Sequence, residues 1–230
     1  MAKKIASFKQ KKFVVVNRER VEVWPSNQQV VPCLKSEPKI LQTKFDGPAK
    51  LNENLAKAIL KLENDSSFVV KLMRGGCGTK IDNIDRWKVP EAELIHARAI
   101  SFFINGLGFD QAVVDQCWGN IYRKGDYCMP HSHIRSRIGF VYLVDPGDSN
   151  PDFPIDGKFY FSDPRVESAC DIQAHCLTRY IMPDLVPGSM IGFPGPMVHG
   201  VNPYSGDRPR ITLSWNINRL AIPGKPPELR

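Results

Sequence analysis

His131 and His133 stand two residues apart in a stretch, Trp118 to Leu143, whose residues alternate in the manner of strands, and a third histidine, His199, follows much later in the chain. In extended backbone, residues i and i+2 point to the same side, so one strand can present both imidazoles to a single ion. The third ligand must then come from another strand folded against the first, which suits a barrel. Imidazole favours zinc, iron, copper and nickel over magnesium or calcium. His96 and His175 stand alone in the sequence and read as hydrogen-bonded structural residues.

The residues around these histidines form a wider pattern. It runs Asn120-Ile-Tyr122, Gly125, Pro130-His131-Ser-His133 and Gly139-Phe-Val-Tyr142, then Phe193-Pro-Gly-Pro-Met-Val-His199-Gly-Val-Asn-Pro and Arg210-Ile-Thr-Leu-Ser-Trp-Asn216. From Trp118 to Ile217 the pattern resembles the 2-oxoglutarate, Fe(II)-dependent oxygenases, and is most like their bacterial and phage-type branch with a His-x-His motif. The Asn-x-Tyr element is also similar to that of the nucleic-acid demethylases. The resemblance implies Fe(II) as metal and 2-oxoglutarate as cosubstrate. It implies hydroxylation of a substrate C–H bond, with 2-oxoglutarate and O2 converted to succinate and CO2.

Carried over residue by residue, the resemblance makes His131 and His199 the two family histidines and gives His133 the place of the usual carboxylate. A neutral imidazole there leaves the metal one charge unit more positive than the His-x-Asp or His-x-Glu pattern does. The basic residue that pairs with the distal carboxylate of 2-oxoglutarate matches Arg210, with Arg208 as competitor. Arg210 is preferred because it opens a strand and shares one face with Thr212, Ser214 and Asn216, whereas Pro209 interrupts the ladder before it. A guanidinium suits the task because its planar fork grips a carboxylate through two parallel hydrogen bonds. Asn120, Tyr122, Tyr142 and Thr212 complete the candidate cosubstrate contacts.

Two rival readings use the same residues. A cupin-type metalloenzyme also carries Gly before a His-x-His and a Pro-Gly run ending in His and Asn. Here, however, the glutamate expected shortly after His-x-His is absent, with Arg135 and Arg137 nearby, and Gly195-x-x-x-His199 is one residue too long. A non-catalytic metal-binding protein on the same scaffold accommodates the missing carboxylate, but gives Arg210, Asn120 and Tyr122 no task.

The fold expected is α+β, mainly β: a double-stranded β-helix, or jelly roll, buttressed by two or more N-terminal helices. One domain spans 1–230, with strands and supporting helices over 1–111, the barrel core over 112–217 and an extended tail over 218–230. Leu51, Leu55, Ala58, Ile59 and Leu62 recur at helical spacing. Pro90-Glu-Ala-Glu93 opens a second helix with proline in the first turn and acids at the positive end of the dipole, and Asn105-Gly106 stops it. The glycine-rich run Met73 to Asp82 lacks the Gly-Lys-Ser/Thr ending of a phosphate loop and reads as a loop bordering the pocket. Arg165 to Thr178 reads as a long loop that selects the substrate.

Composition bounds the remaining classes. No stretch approaches the ~20 apolar residues of a membrane span, and the lysine-rich start has no apolar run and cleavage site of a signal peptide. The six cysteines show no Cys-x-x-Cys spacing and read as reduced thiols in the cytoplasm. Alternation places Cys128 on the face opposite His131, in a packing role. The net charge of +7, with Lys3, Lys4, Lys9, Lys11, Lys12, Arg18 and Arg20 clustered at the start, permits contact with nucleic acid, but no nucleic-acid motif accompanies it. The resemblance implies 2-oxoglutarate, O2 and a further substrate as partners, and the absence of a long apolar stretch suggests no membrane.

Overall fold

The computed structural model describes residues 11–32, 40–47, 50–70, 78–162 and 180–219. Half of the glycine-rich run, the loop 165–178, most of the tail, the first lysines, His175 and four of the cysteines lie outside these residues.

The strands are β1 (Phe13–Val16), β2 (Glu19–Glu22), β3 (Val31–Pro32), β4 (Leu41–Lys44), β5 (Val69–Val70), β6 (Thr79–Asp82), β7 (Val113–Tyr122), β8 (Cys128–His131), β9 (Ile138–Asp145), β10 (Phe159–Ser162), β11 (Tyr180–Ile181), β12 (Ser189–Pro194), β13 (His199–Val201) and β14 (Arg210–Asn218). Two helices, α1 (Leu51–Leu62) and α2 (Pro90–Ser101), precede β7. An eight-stranded sheet has the order β3-β4-β12-β9-β14-β7-β6-β5, and a four-stranded sheet the order β11-β10-β13-β8. All pairings are antiparallel. From β7 onward the chain crosses repeatedly between the two sheets: β7, β9, β12 and β14 lie in the larger, and β8, β10, β11 and β13 in the smaller. That exchange is the jelly-roll winding.

The sequence of β14, RITLSWNIN, explains how the layers form. Ile211, Leu213, Trp215 and Ile217 point to one face and join a core with Leu51, Leu55 and Ile59 of α1 and with Leu94, Ile95 and Ala99 of α2. Arg210, Thr212, Ser214 and Asn216 point to the other face, into the space between the sheets. Both faces of the strand are buried. A second, smaller core built on Phe159, Phe161, Ile191, Phe193 and Val201 fills the space between the sheets beside these polar residues.

Helix α2 carries no polar stripe. Every residue of it except Pro90 and Glu93 is buried, including His96 and Arg98, as expected of a helix enclosed on all sides. Trp215 Nε1 donates to His96 Nδ1 at 3.0 Å, tying the central strand to the helix. Arg98 donates to the Asp46 carbonyl at 2.7 Å and lies over the Phe45 ring.

Burial pushes the His96 pKa from its ordinary 6.5 down to about 4. Between those values the unfolded chain takes a proton that the native chain refuses, so stability is full above pH 6.5 and falls as pH drops toward 4. At 1.36 kcal/mol per unit the loss from this group is about 3 kcal/mol. Urea denaturation of the metal-free protein at stepped pH is expected to show a decline at least that large below pH 6.5 and a plateau above neutrality.

Candidate metal and cosubstrate site

The three histidines named from the sequence converge. His131 and His199 are cross-strand partners on β8 and β13, with ring centroids 4.4 Å apart. His133 lies 5.0 Å from each of them. One ring nitrogen from each lies within 4.8 Å of the others, and among the described residues no carboxylate or thiol joins the group. Two imidazole nitrogens on one ion at about 2.1 Å stand roughly 3 to 3.5 Å apart, so small side-chain rotations bring all three to a common metal.

His133 is not on the strand. Strand β8 ends at His131, and the chain then turns, with His133 N–H donating to the Gly195 carbonyl at 2.8 Å and Gly195 N–H to the Arg137 carbonyl at 2.9 Å. These bonds bring the loop so close to β12 that a Cβ on Gly195 would stand 1.9 Å from the Ser136 oxygen. Only glycine admits that crossing. The imidazole of His133 thus reaches the site by loop docking as well as by residue spacing.

Each ring is oriented by its Nδ1. His131 Nδ1–H donates to the Met129 carbonyl at 2.9 Å and His199 Nδ1–H to the Met197 carbonyl at 2.8 Å, while His133 Nδ1 lies 3.2 Å from the amide of Asn216. The Nε2 atoms of His131 and His199 are left as lone-pair donors. His199 is enclosed by Phe159, Phe161 and Phe193. Burial first, then the neighbouring His131, lowers its pKa to about 3, and the same causes with Lys80 lower that of His133 to about 4. Both rings are neutral at pH 7, the form that binds a metal.

The same cavity is lined by Asn120, Tyr122, Arg210 and Thr212. Pairing of β14 with β7 sets Arg210 opposite Tyr122 and Thr212 opposite Asn120, and Asn120 Nδ2 donates to Thr212 Oγ1 and Ser214 Oγ at 3.3 and 3.2 Å. The guanidinium of Arg210 is buried, lies 5.4 Å from the Tyr122 ring centroid, and has no hydrogen-bond partner for Nη1. A buried cationic donor without a partner is costly, and an anion in the cavity would offset that cost. Gly157, at φ +60°, packs against it: a Cβ there would stand 3.3 Å from Arg210 Cδ.

Two sequence candidates lie elsewhere. Tyr142 is the cross-strand partner of Leu213 on the helix side of the sheet, and its hydroxyl donates to Asn52 Oδ1 of α1 at 2.7 Å. Strand β9 is apolar on both faces, so alternation could not reveal which face met the cavity. Arg208 is exposed and pairs with Asp145 at 3.0 Å, because Pro209 and the turn before β14 hold it outside the sheet. Cys128 also departs from expectation, since it lines the cavity, with Sγ 3.6 Å from His131 Nδ1. The register explains this: His131 pairs with His199 and Cys128 with Val201, three residues against two, so a bulge returns Cys128 to the face of His131.

Sequence reading overlooked Trp118 as a lining residue. Its Nε1 donates to Asn120 Oδ1 at 3.0 Å, its ring stands 6.0 Å from His133, and Lys80 Nζ lies over it at 4.5 Å. The parity of Trp118, Asn120 and Tyr122 along β7 was the available signal.

Residues 116–216 match the family described as "Putative 2OG-Fe(II) oxygenase". The match spans less than half of the chain and is a likeness of that stretch to the family. Among solved structures, the chain is similar to the non-heme alpha-ketoglutarate-dependent epimerase SnoN from nogalamycin biosynthesis, at 12% identity and TM-score 0.58, over 81% of this chain and 86% of that one. It is similar to EctD from S. alaskensis with 2-oxoglutarate and 5-hydroxyectoine, at 18% identity and TM-score 0.57, over 79% and 72%. A third similar structure is the prolyl hydroxylase from Trichoplax adhaerens with a hypoxia inducible factor peptide, at 12% identity and TM-score 0.55, over 77% and 83%. At these identities the likeness is one of fold. No curated protein sequence matches the chain. Among the described residues no helix is long and apolar enough to cross a membrane.

The placement of Tyr142 separates structural from cosubstrate roles. Tyr142→Phe is expected to lower stability by about 1–2 kcal/mol through the unpaired Asn52 oxygen, measured by urea denaturation. It should leave 2-oxoglutarate affinity, read by calorimetry, unchanged, as should Arg208→Ala.

Proposed function

We propose that this chain is a 2-oxoglutarate-dependent oxygenase that binds Fe(II) through His131, His133 and His199 and hydroxylates a C–H bond of its substrate. The overall conversion is R–H with 2-oxoglutarate and O2 to R–OH, succinate and CO2. The observation that carries the reading is the buried, unpartnered Nη1 of Arg210 in the same cavity as three converging imidazoles.

The donor set fits iron. Three neutral imidazoles would suit a borderline ion such as Fe(II), Zn(II) or Cu(II) far better than magnesium or calcium. When bound, iron supplies the oxygen activation that no side chain can perform. The chain's own residues supply the rest.

Arg210 pairs with the far carboxylate of 2-oxoglutarate and thereby orients its keto acid end toward the histidines. Its burial strengthens that pairing, because a charge-assisted, two-pronged hydrogen bond gains when water is excluded. Tyr122 packs beside the guanidinium, while Thr212 and Asn120 add polar contacts along the cosubstrate. With no carboxylate among His131, His133 and His199, the charge of a bound metal would be offset by the 2-oxoglutarate dianion. Tight cosubstrate binding is therefore coupled to metal binding in this site.

The all-imidazole donor set also favours a second reading, a cupin-like or non-catalytic metal-binding protein that does not consume 2-oxoglutarate. Anaerobic titration with Fe(II) and 2-oxoglutarate separates the two through the visible metal-to-ligand charge-transfer band. The band is expected in the wild type, lost in His133→Ala, and shifted to 10–100-fold higher 2-oxoglutarate in Arg210→Ala, about 1.4–2.7 kcal/mol. Iron binding without a band at saturating 2-oxoglutarate would give the lead to the second reading.

A further inference from the structure

We propose that Asn216 is a positioning residue for His133, and that its amide oxygen accepts the Nδ1 proton of that ring and so fixes Nε2 as the metal donor. The inference rests on the three-histidine site argued above.

The three rings differ in what holds them. His131 and His199 each donate Nδ1–H to a main-chain carbonyl two residues earlier, Met129 and Met197. A carbonyl only accepts, so the tautomer of those rings is settled by the backbone. His133, which stands in the place of a carboxylate, has its Nδ1 3.2 Å from the Asn216 side-chain amide instead. Unlike those two carbonyls, the amide can either donate or accept.

As placed, the amide nitrogen of Asn216 faces Nδ1. A ring that accepts there carries its proton on Nε2, which then has no lone pair for a metal. Half a turn of the amide exchanges oxygen and nitrogen almost in place and reverses the outcome. Hydrogen-bond counting does not choose between the two, since Asn216 Oδ1 is buried without a partner in the first orientation and Nδ2 takes its position in the second. Ligation through Nε2 does choose: it requires a proton on Nδ1 and an acceptor to receive it.

The backbone holds Asn216 to this task. It lies on β14 between Gln116 of β7 and Gly139 of β9, just before the register shift at Ile217, and is 4% exposed. Its amide can turn about its last bond but cannot leave the ring. A carboxylate ligand needs no tautomer, whereas a histidine in its place does, and Asn216 supplies the missing specification.

The test uses the full chain and Co(II) alone, without cosubstrate or turnover. Proton NMR of the Co(II)-loaded wild type is expected to show three paramagnetically shifted, exchangeable imidazole N–H resonances. Asn216→Leu, close in size but unable to accept, is expected to lose one of them to solvent exchange and to weaken Co(II) binding 10–100-fold. Asn216→Asp, an acceptor of the same shape, is expected to keep the affinity and shift that same resonance. If Asn216→Leu retains all three resonances and binds Co(II) within twofold of wild type, the proposal is overturned. Should the leucine variant fail to fold, an unshifted resonance in Asn216→Asp overturns it equally. Failure of the underlying site looks different: wild type that takes no Co(II), or His133→Ala that binds as tightly as wild type, removes the site and the inference with it.

Discussion

The register of β14 between β7 and β9 is the constraint on which the rest depends. Its apolar residues knit the large sheet to α1 and α2, while its polar residues face the cavity. A one-residue slip would send Ile211, Leu213 and Trp215 into the cavity and Arg210 into the helices. The penalty on both faces at once is what keeps a buried arginine pointed at the site.

The site is assembled from two kinds of support. Across β7 and β14, polar side chains are held by strand pairing, Arg210 opposite Tyr122 and Thr212 opposite Asn120. Across β8, β13 and the loop after β8, imidazoles are held by carbonyls, a glycine crossing and an amide. The first set is apt for an anion, the second for a cation. Desolvation serves both: it keeps His133 and His199 neutral and leaves Arg210 short of a partner. Rigid strands holding groups that want a ligand are the physical content of preorganisation.

Much of this was legible without coordinates. Helix α1 and the start of α2 followed from apolar spacing and a proline with acids at the first turn. The parity of Arg210, Thr212, Ser214 and Asn216 followed from alternation, because one face of β14 is polar and the other apolar. Tyr142 was not legible, since β9 is apolar on both faces and gives alternation nothing to read. Nor was Cys128, whose parity is reversed by a bulge that only the partner strand reveals.

Spacing along the chain already shows which residue types are available and which share a strand face: two histidines and, far downstream, a third, with an arginine opening the last strand. Those facts depend on spacing along one segment, which backbone periodicity controls. Folding in three dimensions is what makes His133 leave β8 and arrive through a loop, keeps Arg208 outside, and brings an amide from β14 to the ring that neither carbonyl holds. Such facts depend on which strands become neighbours and in what register. That is fixed by closing the two sheets over a shared core, and no local pattern contains it.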